Sequence, residues 1–61
     1  MDIRIIHYKD GVYDVYDRTR DKWLFSSNSA DNVFAWLSEQ KYICIEFIDE
    51  LLNRNMYVLN L

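Results

Sequence analysis

The chain contains a single glycine and no proline, and that glycine sits in the dipeptide Asp10-Gly11 between two runs rich in β-branched and aromatic residues. The runs are Ile3-Arg4-Ile5-Ile6-His7-Tyr8 and Val12-Tyr13-Asp14-Val15-Tyr16-Asp17. Asp-Gly in this setting is the strongest short-range hairpin signal, because a type I′ turn needs positive φ at both central positions. A two-residue loop sets the register by arithmetic. Tyr8 then faces Tyr13, Ile6 faces Val15 and Arg4 faces Asp17 on one side of the ribbon. On the other, His7 faces Asp14, Ile5 faces Tyr16 and Ile3 faces Arg18. The first side is the better core candidate, since it stacks two apolar pairs and closes on an Arg4–Asp17 ion pair.

Downstream, Thr19-Arg20-Asp21-Lys22 reads as a polar turn into a third strand, Trp23-Leu24-Phe25-Ser26. Loop parity decides the rest: an odd loop sets Trp23 and Phe25 beside Tyr13 and Val15, and an even loop sets them with Tyr16. Asn28 and Ser29 are both good N-caps, and Ala30 to Lys41 carries apolar residues at 30, 33, 34 and 37, one face of a helix. Trp36 lies off the centre of that stripe, as a flank of the core or a surface ring. Residues 42–54 allow two readings. Tyr42-Ile43-Cys44-Ile45 has the letters of a short buried strand, whereas Ile45, Ile48, Leu51 and Leu52 recur at helical spacing with acids early and Arg54 late. The helical reading is preferred, from about Ile43 to Arg54, with Asn55 as a left-handed cap. Met56 to Leu61 reads as a final strand. The expected fold is therefore one compact α+β domain over residues 1–61: a three-stranded antiparallel meander, one or two helices and a C-terminal strand that joins the sheet.

Composition removes most catalytic classes. One His and one Cys cannot close a four-ligand zinc site, and one glycine cannot build a phosphate loop. Neither a metal nor a cofactor is expected. Cys44, the one thiol, has no partner within the chain, which fits a reducing cytosolic compartment; it reads as a small core residue. The start Met1-Asp2-Ile3-Arg4 lacks the basic and apolar regions of a signal peptide. The longest uncharged run, Trp23 to Ala30, falls far short of the roughly 20 apolar residues that span a bilayer. His7 opposite Asp14 would orient the imidazole, but no spacing links a nucleophile to it, so the pair reads as an exposed polar contact and the chain as a non-enzyme.

The formal charge is −3, and its placement is uneven. Residues 1–22 balance five bases against five aspartates, whereas residues 23–61 set Lys41 and Arg54 against Asp31, Glu39, Glu46, Asp49 and Glu50. An acidic half repels phosphate, so nucleic acid is the less favoured partner. Two Trp, five Tyr and three Phe exceed what one thin core of this size encloses, which leaves rings outside as a patch for a partner. Interface anchors are commonly Trp, Tyr and Arg, which singles out Trp36, Trp23, Tyr16 and Arg18 as contact residues. The leading expectation is a protein-binding module of the cytosol (inhibitor, adaptor or small subunit), with self-association as a homodimer through an exposed final strand as a further possibility. A second reading sets Glu46, Asp49 and Glu50 on one helical face as a mimic of nucleic-acid phosphates, as suits a phage or mobile-element inhibitor of a host enzyme. A third sets Tyr8, Tyr13, Tyr16, Trp23 and Phe25 with Arg4, Lys9, Arg18 and Arg20 as a sheet face that stacks single-stranded bases.

Overall fold

A computed structural model of the chain describes residues 1–41 and 44–59. It is a small α+β fold: strands β1 (Asp2–His7), β2 (Tyr13–Asp17) and β3 (Lys22–Ser27), helix α1 (Ala30–Ser38), then strands β4 (Cys44–Asp49) and β5 (Arg54–Leu59). The five strands form one mixed sheet in the order β3-β2-β1-β4-β5, in which β1 and β4 are parallel and every other pair is antiparallel. Helix α1 is the crossover that lets β4 lie parallel beside β1, since parallel neighbours cannot be joined by a tight turn.

The first hairpin forms at Asp10-Gly11, but its loop has three residues, not two. The Gly11 amide donates to the Tyr8 carbonyl at 3.0 Å, the Tyr8 amide donates to the Val12 carbonyl at 2.8 Å, and Gly11 alone is left-handed, at φ 91°. This is a type I turn closed by a left-handed glycine bulge, the next commonest hairpin solution. The extra residue shifts every pair by one place. Ile3 faces Asp17, Ile5 faces Val15 and His7 faces Tyr13, so the expected Arg4–Asp17 and His7–Asp14 pairs do not form. The physical reason is burial: because side chains alternate, a one-residue slip exchanges faces, and this register gathers Ile3, Ile5 and Val15 on one side, where each is essentially sealed from water.

The second turn, Arg18 to Asp21, is an even loop of four residues, and it does bring Trp23 opposite Tyr16. A register shift between Val15 and Tyr16 then leaves Phe25 opposite Val15. The irregularity divides the two rings between the two faces of the sheet, an outcome neither parity anticipates.

Helix α1 starts where Ser29 caps it, the hydroxyl accepting from the Asn32 amide at 3.3 Å. It ends at Ser38, three residues before Lys41. The Ser38 hydroxyl bonds back to the Ala35 carbonyl at 2.7 Å, and the next two amides make tight i→i+3 bonds to Trp36 and Leu37. Glu39 at the cap places an acid against the negative end of the helix dipole. Val33 and Leu37 point at the sheet and complete a core of Ile3, Ile5, Val15, Val33, Leu37 and Ile45. Phe34, from the same stripe, is 54% exposed.

The largest correction lies at residues 43–54. Where the spacing suggests a second helix, the described part is a strand, a turn and the start of another strand; Ile43, Tyr42, Asn60 and Leu61 lie outside the described residues. Ile45 and Phe47 meet Ile3 and Ile5 across the parallel ladder, where Ile45 joins the core and Phe47 packs against it. The turn is made by Asp49, whose Oδ1 accepts from the amides of Leu51 at 3.0 Å and Leu52 at 3.2 Å, while Asn53, not Asn55, takes the left-handed conformation, at φ 51°. The β2–β3 turn is built the same way. Asp17 Oδ1 accepts from Thr19 and Arg20 at 2.9 and 3.1 Å, and Asp21 is left-handed at φ 56°. Both turns share one pattern, Asp-x-x-x-Asp/Asn followed by a base, because the first carboxylate satisfies two loop amides and the last residue tolerates positive φ.

Candidate protein-binding face

The mixed sheet has two unlike faces. Helix α1 packs over β2 and β3 on the side of Ile3, Ile5 and Val15. The opposite face carries no helix among the described residues. There the registers align one side chain from each strand into a single row: Trp23 beside Tyr16, Tyr16 beside Arg4, Arg4 beside Glu46, Glu46 beside Tyr57. With strands about 4.8 Å apart, the row runs about 19 Å from Trp23 to Tyr57.

Each end of the row is aromatic and exposed, Trp23 at 58% and Tyr57 at 65%. Trp23 leans on Tyr16 with ring centroids 4.8 Å apart at an interplanar angle of 53°, a tilted packing that aromatic quadrupoles favour. The centre is ionic. Glu46 is only 6% exposed although no helix covers it, because its neighbours close over it. Arg4 Nε donates to Oε1, the Tyr57 hydroxyl donates to Oε2 at 2.9 Å, and Arg18 Nη1 stands 3.9 Å from Oε1. The Arg4 hydrogen bond, opposed by desolvation and helped by Tyr57, holds the Glu46 carboxyl below the usual glutamate range. The same contact pushes the Tyr57 hydroxyl above the usual phenol range, since losing its proton would set two anions together.

The singled-out residues therefore divide. Trp23, Tyr16, Arg18 and Glu46 share the helix-free face. Trp36 lies across the sheet, half-buried, its ring edge on Phe25 at 5.1 Å, so it is a flank of the core. Asp49 is buried as a turn-former and Glu50 is exposed beyond it. Glu46 and Asp49 point to opposite faces of β4, so the three acids do not form the helical face that mimicry of phosphates requires. The expected stacking set also divides: Tyr13 and Phe25 lie on the helix side with the core. His7 stacks on Tyr13, with centroids 4.1 Å apart and planes 3° from parallel, and its Nδ1 stands 3.6 Å from Asp49 Oδ1, too far for a direct hydrogen bond.

Tyr57 belongs to the row without being among the candidate site residues, and Arg4 enters the sequence reading only as a base of the stacking face and as the expected partner of Asp17. Arg4 is cast as the partner of Asp17 by the two-residue loop, and Tyr57 meets Glu46 only if β4 and β5 are strands. The doubled Asp-x-x-x-Asp/Asn pattern is the signal that would have exposed Tyr57, by marking residues 49–54 as a turn between strands, whereas the place of Arg4 follows from the three-residue loop of the first hairpin. Among the described residues, no helix is long and apolar enough to cross a membrane, and no group of three or more His, Cys, Asp or Glu is placed to hold a metal ion. Compared with protein-family models, with curated proteins and with solved structures, the chain matches none of them.

Proposed function

We propose that this chain is a small non-enzymatic protein-binding module, an inhibitor, adaptor or small subunit, that meets its partner through the helix-free face of the sheet. The observation that carries this reading is the row Trp23–Tyr16–Arg4–Glu46–Tyr57. One face of this sheet is buried under α1, and the other presents two exposed rings on either side of an ion pair whose carboxylate is enclosed by its neighbours. Trp, Tyr and Arg dominate the energetics of protein interfaces. Rings held in place by neighbours also lose little freedom on binding.

The electrostatics favour protein over nucleic acid. Arg4 is already neutralised by Glu46, so the row offers phosphate little beyond Arg18, and binding to nucleic acid draws its strength from unpaired Lys and Arg. The experiment compares baits. Tagged wild-type chain and the variants Trp23→Ala, Arg18→Ala and Glu50→Gln are exposed to extract of the source cells, and captured proteins are identified by mass spectrometry. The reading requires a specific partner that Trp23→Ala and Arg18→Ala lose and Glu50→Gln keeps. Loss with Glu50→Gln alone contradicts it, and a shift of labelled single strands at low salt would move the function to nucleic acid.

A further inference from the structure

We propose that the partner presents a carboxylate, from an Asp or Glu of an acidic segment, to Arg18 at the centre of the helix-free face. The proposal rests on that face being the binding surface and names the chemistry of what meets it. Its ground is a count of charge. Two guanidinium groups, Arg4 and Arg18, converge on the single carboxylate of Glu46. Both oxygens of that carboxylate are taken, since Arg4 Nε donates to Oε1 and the Tyr57 hydroxyl donates to Oε2. Arg18 Nη1 stands 3.9 Å from Oε1, beyond hydrogen-bond reach. Among the described residues nothing else accepts from this guanidinium, so its N–H donors remain for an incoming group. The centre of the face thus carries one positive charge more than it balances.

Position gives that surplus its consequence. Arg18 follows β2, and its side chain reaches across β1 toward Glu46 on β4. Its charge therefore lies inside the row, between the exposed rings of Trp23 and Tyr57. A partner seated on both rings covers it. A guanidinium taken out of water without an anion is strongly disfavoured, whereas a carboxylate meets its planar fork with two parallel hydrogen bonds. Docking on the rings thus demands an acceptor opposite Arg18.

The size of the surplus selects the anion. A carboxylate brings one negative charge and cancels it. A phosphoryl group brings about −1.5 to −2 at neutral pH and would leave an excess of negative charge beside Glu46. Asp2 and Asp14 widen the difference, because strand alternation sets both on the side of Arg4 and Tyr16. Asp14 accepts from the Ser26 hydroxyl, and Asp2 forms no ion pair among the described residues. Both therefore oppose a doubly charged group more than a singly charged one. A nucleic-acid strand, with a phosphate at every step, fits worse still.

The test uses the partner that the wild-type bait captures. In its complex with Arg18→Lys, which keeps the charge and adds a reactive amine, a carbodiimide should join position 18 to an Asp or Glu of the partner, as peptide mapping reads directly. Arg18→Gln should weaken binding about thirtyfold or more, the cost of removing one member of a covered charge pair. Added salt should lower the wild-type affinity more than that of Arg18→Gln. Should Arg18→Lys fail to hold the partner, carboxyl footprinting of the wild-type complex decides: an acidic side chain of the partner must become shielded from carbodiimide and glycinamide on binding. A captured partner with no such link and no shielded acid overturns the proposal and leaves the face as the binding surface. Coupling of position 18 to Glu46 or Asp2 of the same chain overturns it too, since the charge is then balanced internally. Binding abolished by phosphatase treatment of the extract would make the anion a phosphate and also overturns it. Capture of no partner by the wild-type chain defeats the reading of the face itself, and the proposal with it.

Discussion

Replacing Glu46 by Gln tests whether the centre of the row is held by charge. The carboxylate accepts from Arg4 Nε and from the Tyr57 hydroxyl at 2.9 Å, with Arg18 at 3.9 Å. Gln keeps one oxygen acceptor but turns an NH₂ group toward the other donor, so one charge-assisted bond is lost. Such a bond contributes about 1.5–3 kcal/mol when well buried. The Arg4 side chain is 35% exposed, and exposed ion pairs contribute only about 0–1 kcal/mol, which brings the expected loss to about 1–2 kcal/mol. In a domain of this size each kcal/mol moves Tm by about 4–8 °C.

The pH dependence has a definite sign. Because the Arg4 contact depresses the folded-state pKa of Glu46, its stabilisation is fully present above the ordinary glutamate value of about 4.3 and is lost as pH falls through the lower folded value. Urea denaturation of both proteins at neutral pH and at successively lower pH should show a constant gap near neutrality that closes on acidification, with the same m-value. A gap that persists unchanged in acid, or no gap at neutral pH, would refute the charged arrangement.

Three further outcomes follow from the turns and the core. Gly11→Ala should cost about 1–2 kcal/mol, the penalty of a side chain at positive φ, since an added Cβ meets no atom within 4 Å; a neutral result in thermal melts would disprove the bulged turn. Asp17→Ala and Asp49→Ala should each cost about 1–2 kcal/mol, because each strips the acceptor from two loop amides, and equal losses in urea titrations would confirm that the two turns are equivalent. Ile5→Ala removes a side chain 1% exposed at the centre of the sheet and should cost about 2–4 kcal/mol, most of the stability of so small a domain; circular dichroism at 37 °C should show it largely unfolded.

Much of the front half was legible because its signals are local. The Asp10-Gly11 turn, the Ser29 cap and the Val33/Leu37 stripe each depend on residues a few places apart. The register was not legible, since one residue in the loop decides between two faces and only the buried set of Ile3, Ile5 and Val15 arbitrates. The back half departs from the helical reading because Ile45, Ile48, Leu51 and Leu52 satisfy helical spacing, while the strand partners of Ile45 and Ile48, namely Ile3 and Ile6, lie about forty residues earlier. Pattern alone cannot supply that long-range pairing. The misreading had consequences for the candidate site, because a helix at 43–54 turns Glu46 toward Asp49 and Glu50 and away from Arg4 and Tyr57. Trp23 and Tyr16 are singled out on composition, and their placement side by side follows from the four-residue turn Arg18 to Asp21, whereas the shift between Val15 and Tyr16, which no local residue announces, is what sends Phe25 to the other face.

The surface itself is best interrogated by a photo-reactive phenylalanine analogue placed either at position 23, at one end of the row, or at position 35, exposed on the outer side of α1. After illumination in source-cell extract, position 23 should yield a discrete adduct with another protein and position 35 should not. Adducts from position 35 with none from position 23 would mean that the partner sits on the helix layer and that the helix-free face is merely solvated.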